Sequence, residues 1–266
     1  MDELLAMSPV TKALAVGLWF LLLLVGERLF PAAIPPETAR FPGPGWRRLL
    51  RNAGFWMLNV LLSLAIVLPL TQAAATAFPA LGAWRPGWWS GATGLLLDLL
   101  LLDFLIYWWH RANHVVPLLW RFHEVHHRDE FLDASSAVRF HFGEVALSAL
   151  MRAAIMIPLG LQLPSILAFE TLVLIGTMFH HSNLRLPRRL EKILSWIVVT
   201  PSIHWVHHHQ VRADTDSNYA TVLSLWDRLF GSRSRTHRSL TMPIGVEGRR
   251  EESFGRLVVL PFVGRD

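Results

Sequence analysis

The sequence predicts an all-α fold: a polytopic membrane bundle of about five membrane-embedded helices under a histidine-rich cytosolic cap. Three observations carry this. Hydrophobic residues make up 52% of the 266 positions and charged residues only 17%, where a soluble domain has about a quarter of its residues charged. The apolar residues come in long runs, several near the roughly 20 residues that a helix needs to cross a bilayer. Of the 13 histidines, none precedes His110 and 12 lie between His110 and His209, many at the 3 and 4 spacing that shares a helix face.

The first apolar segment, Ala13 to Phe30, follows an acidic start (Asp2, Glu3), where a cleaved signal would carry a basic one; it reads as an uncleaved membrane helix ended by Pro31, Pro35 and Pro36. A loop with Arg40, Arg47, Arg48 and Arg51 comes next. The second span runs from about Phe55 to Phe78, and Trp84, Trp88 and Trp89 with Arg85 form an aromatic belt at the far interface. The third, Gly91 to Trp109, ends directly in the first histidines. His110 to Glu144 is polar and lies outside the hydrocarbon. Val145 to Ile157 and Ile166 to Phe179, joined by PLGLQLPS, form a helical hairpin. Leu186 to Val199 is an amphipathic helix for the membrane surface. The whole chain, 1–266, is read as a single membrane domain.

The arginine-rich loop after the first span belongs in the cytoplasm by the positive-inside rule. Counting spans from there puts every histidine cluster and the carboxy terminus, Asp266, on the cytoplasmic side, and a bacterial inner membrane is the expected location. The net charge of +5 is nearly all arginine, with lysine only at Lys12 and Lys192. It reads as topology charge rather than a nucleic-acid surface, because the aromatic residues sit in apolar spans. With no cysteine, any metal is held by nitrogen or oxygen.

His110 and His114 share one helix face, His123, His126 and His127 a second, and His204, His207 and His208 a third. Buried imidazoles without partners are costly, and metal coordination is the usual resolution. Eight or more ligands exceed the need of one ion, so two metals are implied, with His181 as a ninth ligand. His141 stands between ligand and supporting roles; His180 and His209 read as bystanders and His237 as a solvated tail residue. Asp103, Glu144 and Asn218 are the candidates for supporting ligand histidines, since a ligating imidazole hands its other nitrogen to a carboxylate or carbonyl. Asp98 and Glu170 lie inside spans, and Asp214 and Asp216 in a polar loop, with function and simple pairing or turn chemistry equally weighted.

The motifs DFLIYWWHRANH, WRFHEVHH, FHHSN and HWVHHHQVRADTDSNYA, followed by LSLWDRLFGS, resemble the fatty acid hydroxylase and sterol desaturase superfamily of membrane non-haem di-iron enzymes. The ordered series covers about residues 98–232 and is far more specific than any one motif. Phe142, where many members carry proline, and Ala220, where glycine is common, depart from the pattern without touching a ligand position. The resemblance implies two iron ions on His110, His114, His123, His126, His127, His181, His204, His207 and His208, O2 as co-substrate, and hydroxylation or desaturation of a lipid drawn from the bilayer. The chain carries no haem-attachment, Rossmann or iron–sulfur motif, so electrons are expected from a separate donor protein.

Two other readings exist. His123 to His127 also satisfies H-E-x-x-H, which would make Glu124 the general base of a membrane zinc metalloprotease but leaves the remaining clusters idle. A non-enzymatic metal-binding or transport protein would favour ligands inside the spans, whereas these lie at and beyond span ends.

Overall fold

The computed structural model describes residues 9–41, 43, 45–77 and 84–263; Asp2, Glu3, Phe78 and Asp266 lie outside them. Among the described residues the chain is helical without strands, joined in three places by isolated β-bridges. Five helices are long and apolar enough to cross a membrane. α1 spans Pro9–Leu29 and α2 Gly45–Leu62; α2 continues through a π-helical turn, Ser63–Val67, into α3, Leu68–Ala77. α4 is Gly91–Val115, α6 Phe142–Leu159 and α7 Leu163–His181. Their outward leucines and valines, such as Leu14, Leu18 and Leu64, are exposed, as lipid-facing side chains are.

Two expectations need correcting. The second span begins ten residues earlier than its apolar run, so Arg47, Arg48 and Arg51 stand on α2 instead of in a loop. Arg48 is buried: its Nε meets Asp129 Oδ1 at 2.6 Å and its Nη1 meets Asp133 Oδ2 at 2.7 Å. A helix ladder continues through arginine as readily as through leucine, and buried partners remove the cost of the charge. The surface helix is α8, Arg188–Leu194, only seven residues long; the chain then turns, and Val198 bridges to Leu223. Leu190, Ile193, Trp196 and Ile197 still leave an exposed apolar strip there.

At the end of the bundle away from the histidines, Trp84 and Arg85 donate to the carbonyls of Pro158 and Leu159, and Arg85, Trp89 and Ser165 converge on Asp98. The predicted belt thus closes over the α6–α7 hairpin, and Asp98 is a pairing residue. That hairpin turns at Gly160, whose φ of 58° lets the Gly160 and Leu161 amides return to Ile157 and Met156.

At the histidine end α5, Pro117–His127, folds back from α4. α9, Pro201–His207, packs on α7, and α10 to α12 (Arg212–Thr215, Leu225–Leu229, Phe254–Val259) complete the cap. Arg48, Asp129, Asp133, Ser136, Asn52 and Arg139 form one buried polar network that ties α2 to the segment after α5. Removing one charge from such a network costs about 3–5 kcal/mol, since the partner is left buried and unpaired.

Candidate metal centre

The cap gathers nine histidines into two groups whose ligand atoms lie within 4.8 Å of one another: His110, His114, His123, His127 and His207, and His126, His181, His204 and His208. These are the nine residues singled out from the sequence, but the partition cuts across the motifs. His123 and His127 face one centre and His126 the other; His207 separates in the same way from His204 and His208. The cause is helical phase: residues four apart share a face, whereas a neighbour in sequence is turned by about 100°.

Backbone and carboxylate acceptors set the rings. Nδ1 of His110 donates to Tyr219 O at 2.7 Å, His207 to Ser217 O at 2.6 Å, His126 to Arg139 O at 3.0 Å and His181 to Thr177 O at 2.8 Å. His123 Nδ1 stands 2.7 Å from Glu144 Oε1. A carbonyl only accepts, so Nδ1 carries the proton and Nε2 presents a bare lone pair. Yet these Nε2 atoms face each other: His110 lies 3.2 Å from His123 and 3.1 Å from His207, and His181 is 3.1 Å from His126. Facing lone pairs repel, and a cation between them removes the repulsion. Nitrogens bound at about 2.1 Å to one ion and near a right angle apart stand about 3 Å from each other, the spacing found here. Among the described residues His114 Nε2 is buried without a hydrogen-bond partner, again fitting a metal ligand.

Electrostatics agree. Burial first, then neighbouring imidazoles, holds His126, His127, His204, His207 and His208 well below the ordinary histidine range. Neutral rings are the form that binds a metal.

Of the supporting candidates, Glu144 touches one of the nine histidines, His123, directly. Gly143 makes that approach possible, since a Cβ there would stand 2.5 Å from the Phe122 ring. Asp103 is corrected: it touches no histidine and accepts from Leu223 N and Trp226 Nε1, anchoring the segment that follows the last cluster. Asn218 is likewise no histidine partner. It sits at φ 51° between Ser217 and Tyr219, the residues whose carbonyls reach His207 and His110, and its side chain is tied to Ile203 O and Ser234 N. Asp227 accepts from the Tyr219 and Ala220 amides and braces the same turn. The carbonyls of Arg139, Thr177, Ser217 and Tyr219 had no sequence signal, because every residue has one.

His141 belongs to neither group: it caps α6 through Gly143 N and bonds Val258 O. His180 lies against the His204 ring at 3.9 Å, and His209 pairs with Asp214. Asp216 pairs with Arg212. Glu124 is bound by Arg128 at 2.8 and 3.0 Å, and Arg128 also holds Glu252. This salt bridge occupies the carboxylate that a protease would aim at a metal-bound water.

A cavity of 470 Å³ leads from the spans to both groups. Trp56, Leu64, Val67, Ile106, Phe169 and Val173 are among its walls, and His110, His123, His126, His181 and His204 line it as well.

Fold and site together define a polytopic helical membrane protein with paired polyhistidine centres at the end of an apolar cavity. Residues 95–232 match the fatty acid hydroxylase family, and the chain belongs to it. It is 30% identical to an ornithine lipid hydroxylase from Rhizobium tropici over 77% of this chain and 62% of that protein. It is 34% identical to an alkylglycerol monooxygenase from Homo sapiens over 60% of this chain and 34% of that protein. A fatty acid hydroxylase from Lecanicillium sp. is 29% identical, over 69% and 56%. The chain thus spans from about a third to three fifths of the length of these relatives. No solved structure matches it.

Proposed function

We propose that the protein is an integral membrane lipid hydroxylase that uses O2, two non-haem iron ions and electrons from a separate donor protein. The observation that carries this reading is the cavity: it is walled by apolar side chains at membrane depth and ends on both histidine groups. Its volume suits one long acyl or alkyl chain threaded between helices. The names of the relatives, lipid and fatty acid hydroxylases and monooxygenases, support hydroxylation over desaturation.

Iron held by the nine histidines would supply the oxidant that an unactivated C–H bond needs and no side chain provides. The protein's part is positioning. Tyr219 O, Ser217 O, Arg139 O, Thr177 O and Glu144 keep the rings turned with Nε2 inward, and the apolar wall orients the chain and keeps water from the reacting carbon. Arg48 ties the start of α2 to the cap, so both lie on one side of the membrane, read as the cytoplasmic side from the exposed Arg40 and Arg47 by the positive-inside rule.

The test is metal content of anaerobically purified protein, paired with mass spectrometry of membrane lipids from cells with and without it, grown in air. Two ions per chain and a lipid gaining one oxygen atom are expected. Unchanged lipids beside a metal-loaded protein would overturn the hydroxylase reading.

A further inference from the structure

One charged pair in the spans is not closed as a structural pair should be. Arg152 on α6 and Glu170 on α7 both line the cavity, as does Ser148. Arg152 lies eight residues beyond Glu144, and Glu170 eleven before His181, which puts them about 12 Å along α6 from Glu144 and about 16 Å along α7 from His181. Charges at this depth are expensive, and a purely structural pair minimises the cost by direct contact. Here Arg152 Nη2 stands 3.5 Å from Glu170 Oε1, against 2.6 Å for Arg48 with Asp129 and 2.8 Å for Arg128 with Glu124. Arg152 Nη1 donates to Ser148 Oγ at 2.8 Å, whereas its Nε is buried with no partner. The Glu170 side chain keeps 33% of its surface open.

We propose that Arg152 and Glu170 form a polar subsite that seats a neutral hydroxyl or secondary amide of the lipid about 12–16 Å along the bundle from the histidine end. The proposal rests on reading the cavity as the seat of a lipid. As a unit the pair is neutral and offers an acceptor, the open Glu170 carboxylate, beside a donor, the Arg152 guanidinium, whose side chain is 18% open. A hydroxyl or amide answers both at once. A plain alkyl chain covers the open carboxylate without donating to it, and a carboxylate meets repulsion from Glu170 in a low dielectric. The subsite therefore sets which carbon reaches the centre, by fixing the distance from the polar group to the point of oxidation.

The experiment is native mass spectrometry of the metal-loaded protein in detergent under nitrogen, where no turnover occurs, with octadecanol, octadecane and octadecanoate in competition. Octadecanol should bind the wild type about tenfold more tightly than either rival, the effect of one hydrogen bond to a charged group. Glu170→Gln leaves Arg152 unneutralised and should move the preference to octadecanoate. The double variant Arg152→Met with Glu170→Gln carries no buried charge to unfold it, and should bind octadecane as before while losing the alcohol preference. Equal binding of all three by the wild type, or an alcohol preference that survives in the double variant, overturns the subsite alone. Binding of none of them overturns the lipid-seat reading and the subsite with it.

Discussion

Replacing His126 and His208 together with alanine takes one imidazole from each of two sequence clusters but two of four from a single spatial group. A four-ligand structural metal site is worth about 10–16 kcal/mol, or roughly 2.5–4 kcal/mol per ligand, so losing two weakens binding by at least about 10³-fold. The five-histidine group keeps all its members. The double variant should therefore purify with one ion per chain, retained against a chelator as firmly as in the wild type. His127→Ala with His207→Ala, also drawn from two clusters, should loosen the other ion and leave the His126 centre filled. The assay is elemental analysis of anaerobically prepared protein, with chelator titration to rank the two affinities. If both double variants lose both ions, or if losses follow the sequence clusters instead of the spatial groups, the partition is wrong.

Three further outcomes follow from the same geometry. Glu144→Gln should weaken metal retention about 10–100-fold by loosening the His123 ring, whereas Glu124→Gln, which disturbs a salt bridge with Arg128, should leave metal content and oxidation within a few-fold; activity that vanishes with Glu124→Gln yet persists under nitrogen would restore the protease reading. Arg48→Met should cost about 3–5 kcal/mol by stranding Asp129 and Asp133, read as a lower midpoint of thermal unfolding. Metal-free protein should lose stability as pH falls below about 6.5, because the unfolded chain takes up protons there that buried His126, His127, His204, His207 and His208 refuse; a flat profile from pH 7 to 5 would contradict their burial.

The helical membrane architecture, the five apolar helices and the clustering of nine histidines are legible in the order of the residues. Each of these rests on short-range chemistry: a run of leucines is apolar wherever it sits, and histidines four apart share a face on any helix. Apolarity does not mark where a helix starts, so α2 begins ten residues before its apolar run, and Arg48 is a buried tie instead of a loop charge. Asp103 and Asn218 have the right composition for histidine partners, but Asp103 meets Leu223 and Trp226, 120 and 123 residues on, and the Asn218 side chain turns to Ile203 and Ser234. Packing settles which group each histidine joins, which carbonyls turn the rings, and that Glu124 faces Arg128. It also brings Arg152 and Glu170, eighteen residues apart across a hairpin, to one cavity with both histidine groups. The physical reason is that these properties belong to directions in space, set by helix phase and packing, which spacing along a single chain does not encode.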